Sequence, residues 1–313
     1  MKIIFAGTPK FASEHLSILL GGEHEIVAVL TQPDRKSGRG KKISFSEVKE
    51  IALENDLKVL QPASLKDVEI QKSINNLEPD IILVVAYGLL IPKTVLDMPK
   101  LGCINIHASL LPRWRGASPI ESCIAAGDSE SGITMMKMSE GLDEGPILKK
   151  FVCHLDEKET LETLEKKFIG MSSENLLQFL KDYENKKITE AIQPSTGSTY
   201  ANKIDNTFKR VDWASQTAGE IENKIRALNP KYGAFTYLGE ERIKLFSASP
   251  KKNNSSVEPG LILLNIEGSL EVGCKASGLL GMETLQTPGK RIISSKEFVR
   301  GYKSTLSKNL KFS

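Results

Sequence analysis

The chain is poor in cysteine and histidine, with four of each in 313 residues, and neither set is spaced for metal. Cys103, Cys123, Cys153 and Cys274 form no C-x-x-C pair, which excludes zinc ribbons and dithiol redox motifs and leaves reduced, mostly buried thiols. No H-E-x-x-H occurs, so no metal is expected. The longest apolar run, from Ile81 to Ala86, is the length of a strand and far too short for a membrane span. The opening Met-Lys-Ile-Ile-Phe-Ala-Gly lacks the pattern of an export signal, and a cytoplasmic protein is expected. Where a dinucleotide fold carries three glycines after its first strand, this chain has only Gly7, which excludes an NAD or FAD reading.

What remains is an ordinary globular composition, 40% apolar and 26% charged, in a chain long enough for two domains. The net charge of +3 is unevenly spread. Residues 206–313 hold 17 Lys and Arg against 10 Asp and Glu, a net of +7, which leaves 25 against 29, a net of −4, for residues 1–205. A basic carboxyl-terminal third attached to a mildly acidic remainder suggests a polyanionic partner.

Residues 2–6 and 25–30 read as buried strands around a helix ending at Gly21 and Gly22, with Thr8 suited to its N-cap and Pro9 to its first turn. This is the βαβ opening of a doubly wound α/β sheet. Residues 81–86 are apolar on both faces, as a covered central strand requires. The polar, turn-rich residues 190–206 read as a linker, dividing a domain of residues 1–189 from one of residues 207–313. In the latter, several short strands punctuated by glycine predict a smaller β-barrel. It shows no aromatic stripe for base stacking, so contacts to phosphates are expected there.

The chemistry concentrates after residue 102. Ile104 and Ile106 alternate with Asn105 and His107, so the two polar side chains share one face of a strand that Ser109-Leu110-Leu111-Pro112 then ends. On a covered sheet an amide and an imidazole are buried and need partners. Asp143, in Gly141-Leu142-Asp143-Glu144-Gly145-Pro146, offers a carboxylate to fix the tautomer of His107. Residues 32–46 form a separate glycine-interrupted loop with Arg35, Lys36, Arg39, Lys41 and Lys42, a cation density suited to phosphate.

Phe5-Ala6-Gly7-Thr8-Pro9, Thr31-Gln32-Pro33-Asp34-Arg35 with Gly38-Arg39-Gly40-Lys41-Lys42, Val85-Ala86-Tyr87-Gly88, Asn105-Ile106-His107-Ala108-Ser109-Leu110-Leu111-Pro112 and Gly141-Leu142-Asp143 together resemble the methionyl-tRNA formyltransferase family, in order and over essentially the whole chain. The Asn, the His-x-Ser-x-x-Pro and the distal Asp alone point only to the wider group that uses 10-formyltetrahydrofolate. The resemblance implies a Rossmann-like catalytic domain and a smaller OB-like domain that binds tRNA, with no metal, acting as a monomer. It implies transfer of a formyl group from the folate to the α-amine of methionyl-initiator tRNA. Asn105 and His107 would stabilise the oxyanion and Asp143 would orient His107 and manage the proton. Ser109, Leu110, Leu111 and Pro112, with Tyr87, Gly88 and Leu89, would hold the folate, and residues 138–142 would close the other side of the pterin. Arg39, Lys41 and Lys42 would contact the acceptor end of the tRNA. Two positions depart from the family pattern: Glu144 stands where Thr is frequent, and Lys231-Tyr232 where Trp-Pro is frequent. Rival readings are a related enzyme with water or a small amine as acceptor, and a non-catalytic RNA-binding protein. The former needs neither the basic loop nor the basic tail, and the latter needs no convergence of Asn, His and Asp.

Overall fold

The computed structural model describes residues 1–37, 42–253, 255–302 and 310–313, and the side chains of Lys36, Ser37, Lys42 and Ile43 are outside that description. The chain forms two compact units. One comprises Met1–Gly116, Ser131–Cys153 and Glu165–Tyr200, and the other Ala117–Glu130, His154–Leu164 and Ala201–Ser313.

In chain order the elements begin β1 (Lys2–Gly7), α1 (Lys10–Leu20), β2 (Glu25–Leu30), β3 (Arg35–Ser37), β4 (Lys42–Ser44), α2 (Glu47–Glu54) and β5 (Val59–Leu60). They continue with α3 (Val68–Asn75), β6 (Ile81–Val85), α4 (Lys93–Leu96), β7 (Cys103–His107), β8 (Arg115–Gly116), α5 (Pro119–Ala126), β9 (Glu130–Lys137), β10 (Ile147–His154), α6 (Leu161–Glu184) and β11 (Tyr200–Ala201). The first unit is built on a seven-stranded sheet in the order β10-β9-β7-β6-β1-β2-β5. β5, β2, β1, β6 and β7 run parallel, and β9 joins β7 antiparallel. The chain winds outward from β1 through β2 to β5, then restarts on the other side with β6, the doubly wound topology expected from the βαβ opening.

Every residue of β6 and β7 is buried, so both strands are covered on both faces. Ile4, Ala6, Leu30, Ile82, Val84 and Tyr87 belong to one core cluster of this unit. A slip of one residue in β7 would exchange Asn105 and His107 for Ile104 and Ile106, burying unpartnered polar groups in that core, so the alternation pins the register. The start of α1 differs from expectation. Pro9 is its N-cap, and the hydroxyl of Thr8 instead donates to the Tyr87 carbonyl at 2.9 Å. That bond ties the end of β1 to the loop after β6.

The second unit contains α7 (Asn206–Lys209), α8 (Ala218–Leu228), β12 (Ala234–Leu238), β13 (Glu241–Lys251), β14 (Ile262–Leu264), β15 (Leu270–Gly273), β16 (Leu279–Gln286), β17 (Ile293–Ser294) and α9 (Ser295–Gly301). Its sheet runs β12-β13-β16-β15-β14 with β17 on β16, antiparallel throughout. Irregular pairing of β13 with β16 between Leu245 and Ala248 curls it into a half-barrel. Trp213, Ile221, Ile225, Leu245, Val272 and Phe298 lie in its core. α8 starts with a capping box between Thr217 and Glu220, and α9 with another between Ser294 and Glu297. α5 packs on α8 within this unit.

Candidate active site

β7 brings Asn105 and His107 to its end with their side chains on one face, 8% and 6% exposed. The loop after β9 carries Asp143 back to them. Asn105 Nδ2 donates to Asp143 Oδ1 at 3.3 Å, and His107 Nδ1 lies 3.6 Å from Asp143 Oδ2. The backbone N–H of Gly116 donates to the same Oδ2 at 2.8 Å. Residues of the 105–116 stretch and the distant Asp143 thus meet around one carboxylate.

The imidazole has a second partner. His107 Nε2 sits 2.9 Å from the Trp114 carbonyl, which can only accept, so Nε2 carries a hydrogen. A further proton on the ring falls on Nδ1, facing Asp143. His107 and Asp143 together therefore form a pair able to hold one extra proton, while the second N–H of Asn105 has no partner among the described residues. Ala86, Trp114 and Asp143 all have left-handed backbones, with φ of 45°, 60° and 52°. Such conformations in residues other than glycine cost energy and gather where function demands them.

The segment after β7 is held by its own turn. The buried Ser109 hydroxyl donates to the Arg113 carbonyl at 2.6 Å, and Thr134 Oγ1 donates to the Ser109 carbonyl at 2.6 Å and accepts from Leu111 N at 3.2 Å. Ser109, Leu111 and Tyr87 are thus buried whole, and only their neighbours face outward. Burial pushes the Tyr87 hydroxyl pKa up, and that hydroxyl has no hydrogen-bond partner among the described residues. Gly88 has a φ of 79°, and a Cβ there would lie 2.4 Å from Gln32 Nε2, which donates to the Tyr87 carbonyl at 2.9 Å. Leu90 and Leu142, on the loops after β6 and β9, are large apolar side chains left 70% and 59% exposed. Leu89 and Met138, half-buried on those same loops, pack on the core beneath. Uncovered apolar walls such as these fit a flat heterocycle.

Arg39 and Lys41 lie outside the described residues; Lys42 opens β4, the partner of β3 in a two-stranded hairpin. The base of that hairpin is firmly anchored. Lys49 Nζ reaches Asp34 at 2.6 Å and Gln61 Nε2 donates to it at 2.8 Å, and together they hold the Asp34 carboxyl below its usual range. Arg35 donates to Gln32 Oε1 at 2.7 Å.

Four participants were not legible beforehand: the Trp114 carbonyl, the Gly116 N–H, Arg115 and Gln193. The first two are backbone groups, to which side-chain patterns are blind. Arg115 is buried and reaches Glu144 at 3.3 Å, which gives the atypical Glu144 a partner. Gln193 carries no motif at all. Burial pushes the Cys103 thiol to about 12, which supports its reading as an inert core residue. Among the described residues no cluster of His, Cys, Asp and Glu could hold a metal, and no helix is long and apolar enough to cross a membrane.

Comparison with known proteins places the chain in a family. Residues 1–180 match the family described as Formyl transferase, and residues 203–303 match Formyl transferase, C-terminal domain. The chain is 43% identical over 306 residues to a methionyl-tRNA formyltransferase of Marinobacter nauticus, covering 98% of both chains. It is 42% identical over 303 residues to one of Pseudoalteromonas translucida, covering 96% of this chain and 94% of the relative. Among solved structures, WlaRD, a sugar 3N-formyl transferase, shares the fold at a TM-score of 0.66 and 18% identity over 93% of this chain and 99% of its own.

Proposed function

Because the chain belongs to the methionyl-tRNA formyltransferase family, we propose that it formylates the α-amine of methionyl-initiator tRNA and that Asn105, His107 and Asp143 carry the reaction. When bound, 10-formyltetrahydrofolate supplies the formyl group. Its pterin would lie between the Tyr87-Gly88-Leu89 loop and residues 138–142, with the segment Ser109-Leu110-Leu111-Pro112 positioning it. The exposed Leu90 and Leu142 support that seat.

Attack by the amine puts negative charge on the formyl oxygen and an excess proton on nitrogen. The free N–H of Asn105 is the donor suited to the oxygen. The proton passes to the Asp143–His107 pair and returns to the departing folate nitrogen. His107 can itself donate to the oxygen only by releasing the Trp114 carbonyl, so in the observed arrangement it acts through Asp143. The Gly116 N–H keeps Asp143 in place during the transfer. The observation carrying this reading is the meeting of Asn105 Nδ2 and His107 Nδ1 at the two oxygens of Asp143, at 3.3 and 3.6 Å.

The basic loop with Arg39, Lys41 and Lys42 engages the acceptor end, and the residues beyond 206 grip the tRNA body through phosphates, in keeping with their net positive charge. The protein works as a cytoplasmic monomer in two functional parts, residues 1–189 for catalysis and 207–313 for tRNA. Purified chain with labelled formyl donor tests the reading. Label is expected on methionyl-tRNA and not on free methionine, and equal labelling of a small amine would overturn it.

A further inference from the structure

We propose that Gln193 is a positioning residue for Asp143, an inference that rests on the reading of Asp143 given above. Gln193 is buried in a polar, turn-rich stretch whose composition suggests only a linker. Its amide is nevertheless fully used. Nε2 donates to the Asp143 carbonyl at 2.7 Å and to the Gly145 carbonyl at 2.8 Å. Oε1 accepts from Arg115 Nε at 3.2 Å and from Nη2 on the same edge of the guanidinium at 2.8 Å. Both hydrogens and both lone pairs are thus engaged, the full capacity of the side chain.

The arrangement allows one orientation. Turning the amide over would set its NH2 against the guanidinium and its oxygen against two carbonyls. Arg115 therefore fixes Gln193, and Gln193 fixes the backbone on both sides of Glu144. This loop needs such a clamp, because Asp143 holds a φ of 52°. At Gly145 the Lys137 carbonyl would lie 1.8 Å from a Cβ, so the loop is pressed against β9 there. The clamp is itself anchored: Ala191 and Ile147 exchange backbone hydrogen bonds of 2.7 and 2.8 Å, and the Thr199 carbonyl accepts from Arg115 N at 2.9 Å. Gln193 touches no reacting atom. It sets where the Asp143 carboxylate stands relative to Asn105, His107 and the Gly116 N–H.

Two variants separate this role from plain packing. Gln193→Met keeps the volume and removes all four bonds, whereas Gln193→Glu keeps acceptors for Arg115 but sets a carboxylate oxygen against the two loop carbonyls. Both are expected to lower kcat by about 10–100-fold while KM for donor and methionyl-tRNA stays within about twofold, since misplacement near the chemistry acts on the transition state. In both, hydrogen exchange at the Gly116 amide is expected to accelerate by about tenfold or more, as its acceptor moves away, with far-UV circular dichroism unchanged. Wild-type kcat in Gln193→Glu, or an unaltered Gly116 exchange rate in a folded Gln193→Met, overturns the proposal. If the unaltered chain itself fails to formylate methionyl-tRNA, the reading of the site falls, and the exchange measurement still decides whether Gln193 positions Asp143.

Discussion

Acidification is expected to loosen the first unit at His15. Its ring is fully buried between α1 and α6, with Nδ1 2.7 Å from the Phe11 carbonyl and Nε2 2.8 Å from the Ser172 hydroxyl. The carbonyl only accepts, so the neutral ring is protonated on Nδ1 and accepts from Ser172 on Nε2. Burial lowers the pKa from 6.5 to about 4, against a smaller upward pull from the Phe11 carbonyl. As pH falls below 6.5 the unfolded ring takes up a proton that the folded ring refuses, and stability drops until the folded ring titrates near 4. The gap corresponds to roughly 3 kcal/mol in full, with about 2 kcal/mol lost by pH 5 and nothing lost above neutrality. Urea unfolding followed by circular dichroism at about pH 7.5 and about pH 5 measures it, with His15→Gln as the non-titrating reference. The variant is expected to start less stable and lose about 2 kcal/mol less over the interval. Equal losses in the two proteins would refute the assignment of the effect to His15.

Gly88→Ala strains a left-handed backbone and displaces Gln32 from the Tyr87 carbonyl, so a loss of about 1–2 kcal/mol and a raised KM for the folate are expected from thermal unfolding and kinetics. Cys103, Cys123 and Cys274 are buried, and burial holds the first and last of these near 12, so an aromatic disulfide reagent should titrate the half-buried Cys153 first and the others only on unfolding. Replacing Arg39, Lys41 and Lys42 together by Ala should raise KM for methionyl-tRNA and lower the salt slope of its binding by about 2–3, leaving donor KM unchanged, as measured by tRNA binding at several ionic strengths.

The parts of this molecule that sequence made legible are those governed by periodicity. The unbroken apolar run from Ile81 and the alternation from Ile104 to His107 each have one physical solution, a covered central strand and a strand with one polar face, and β6 and β7 are those strands. Asp143 could be nominated because a buried imidazole demands a partner. What stayed hidden was set by three-dimensional closure. Thr8 looks like a cap and instead pins the Tyr87 loop; Ser109 looks like a ligand contact and its hydroxyl instead closes its own turn. Gln193 acts through backbone carbonyls that any sequence would offer. Residues 117–130 belong to the second unit although they sit between strands of the first, a grouping that hydrophobic pattern along the chain does not encode.

Single-turnover formyl transfer by Asn105→Ala, with methionyl-tRNA binding measured alongside, tests the central claim most directly. Loss of the oxyanion donor is expected to slow the chemical step by about 10²–10³ with tRNA affinity unchanged. A variant that transfers formyl at the unaltered rate would contradict the assignment of Asn105, His107 and Asp143 as the reacting site.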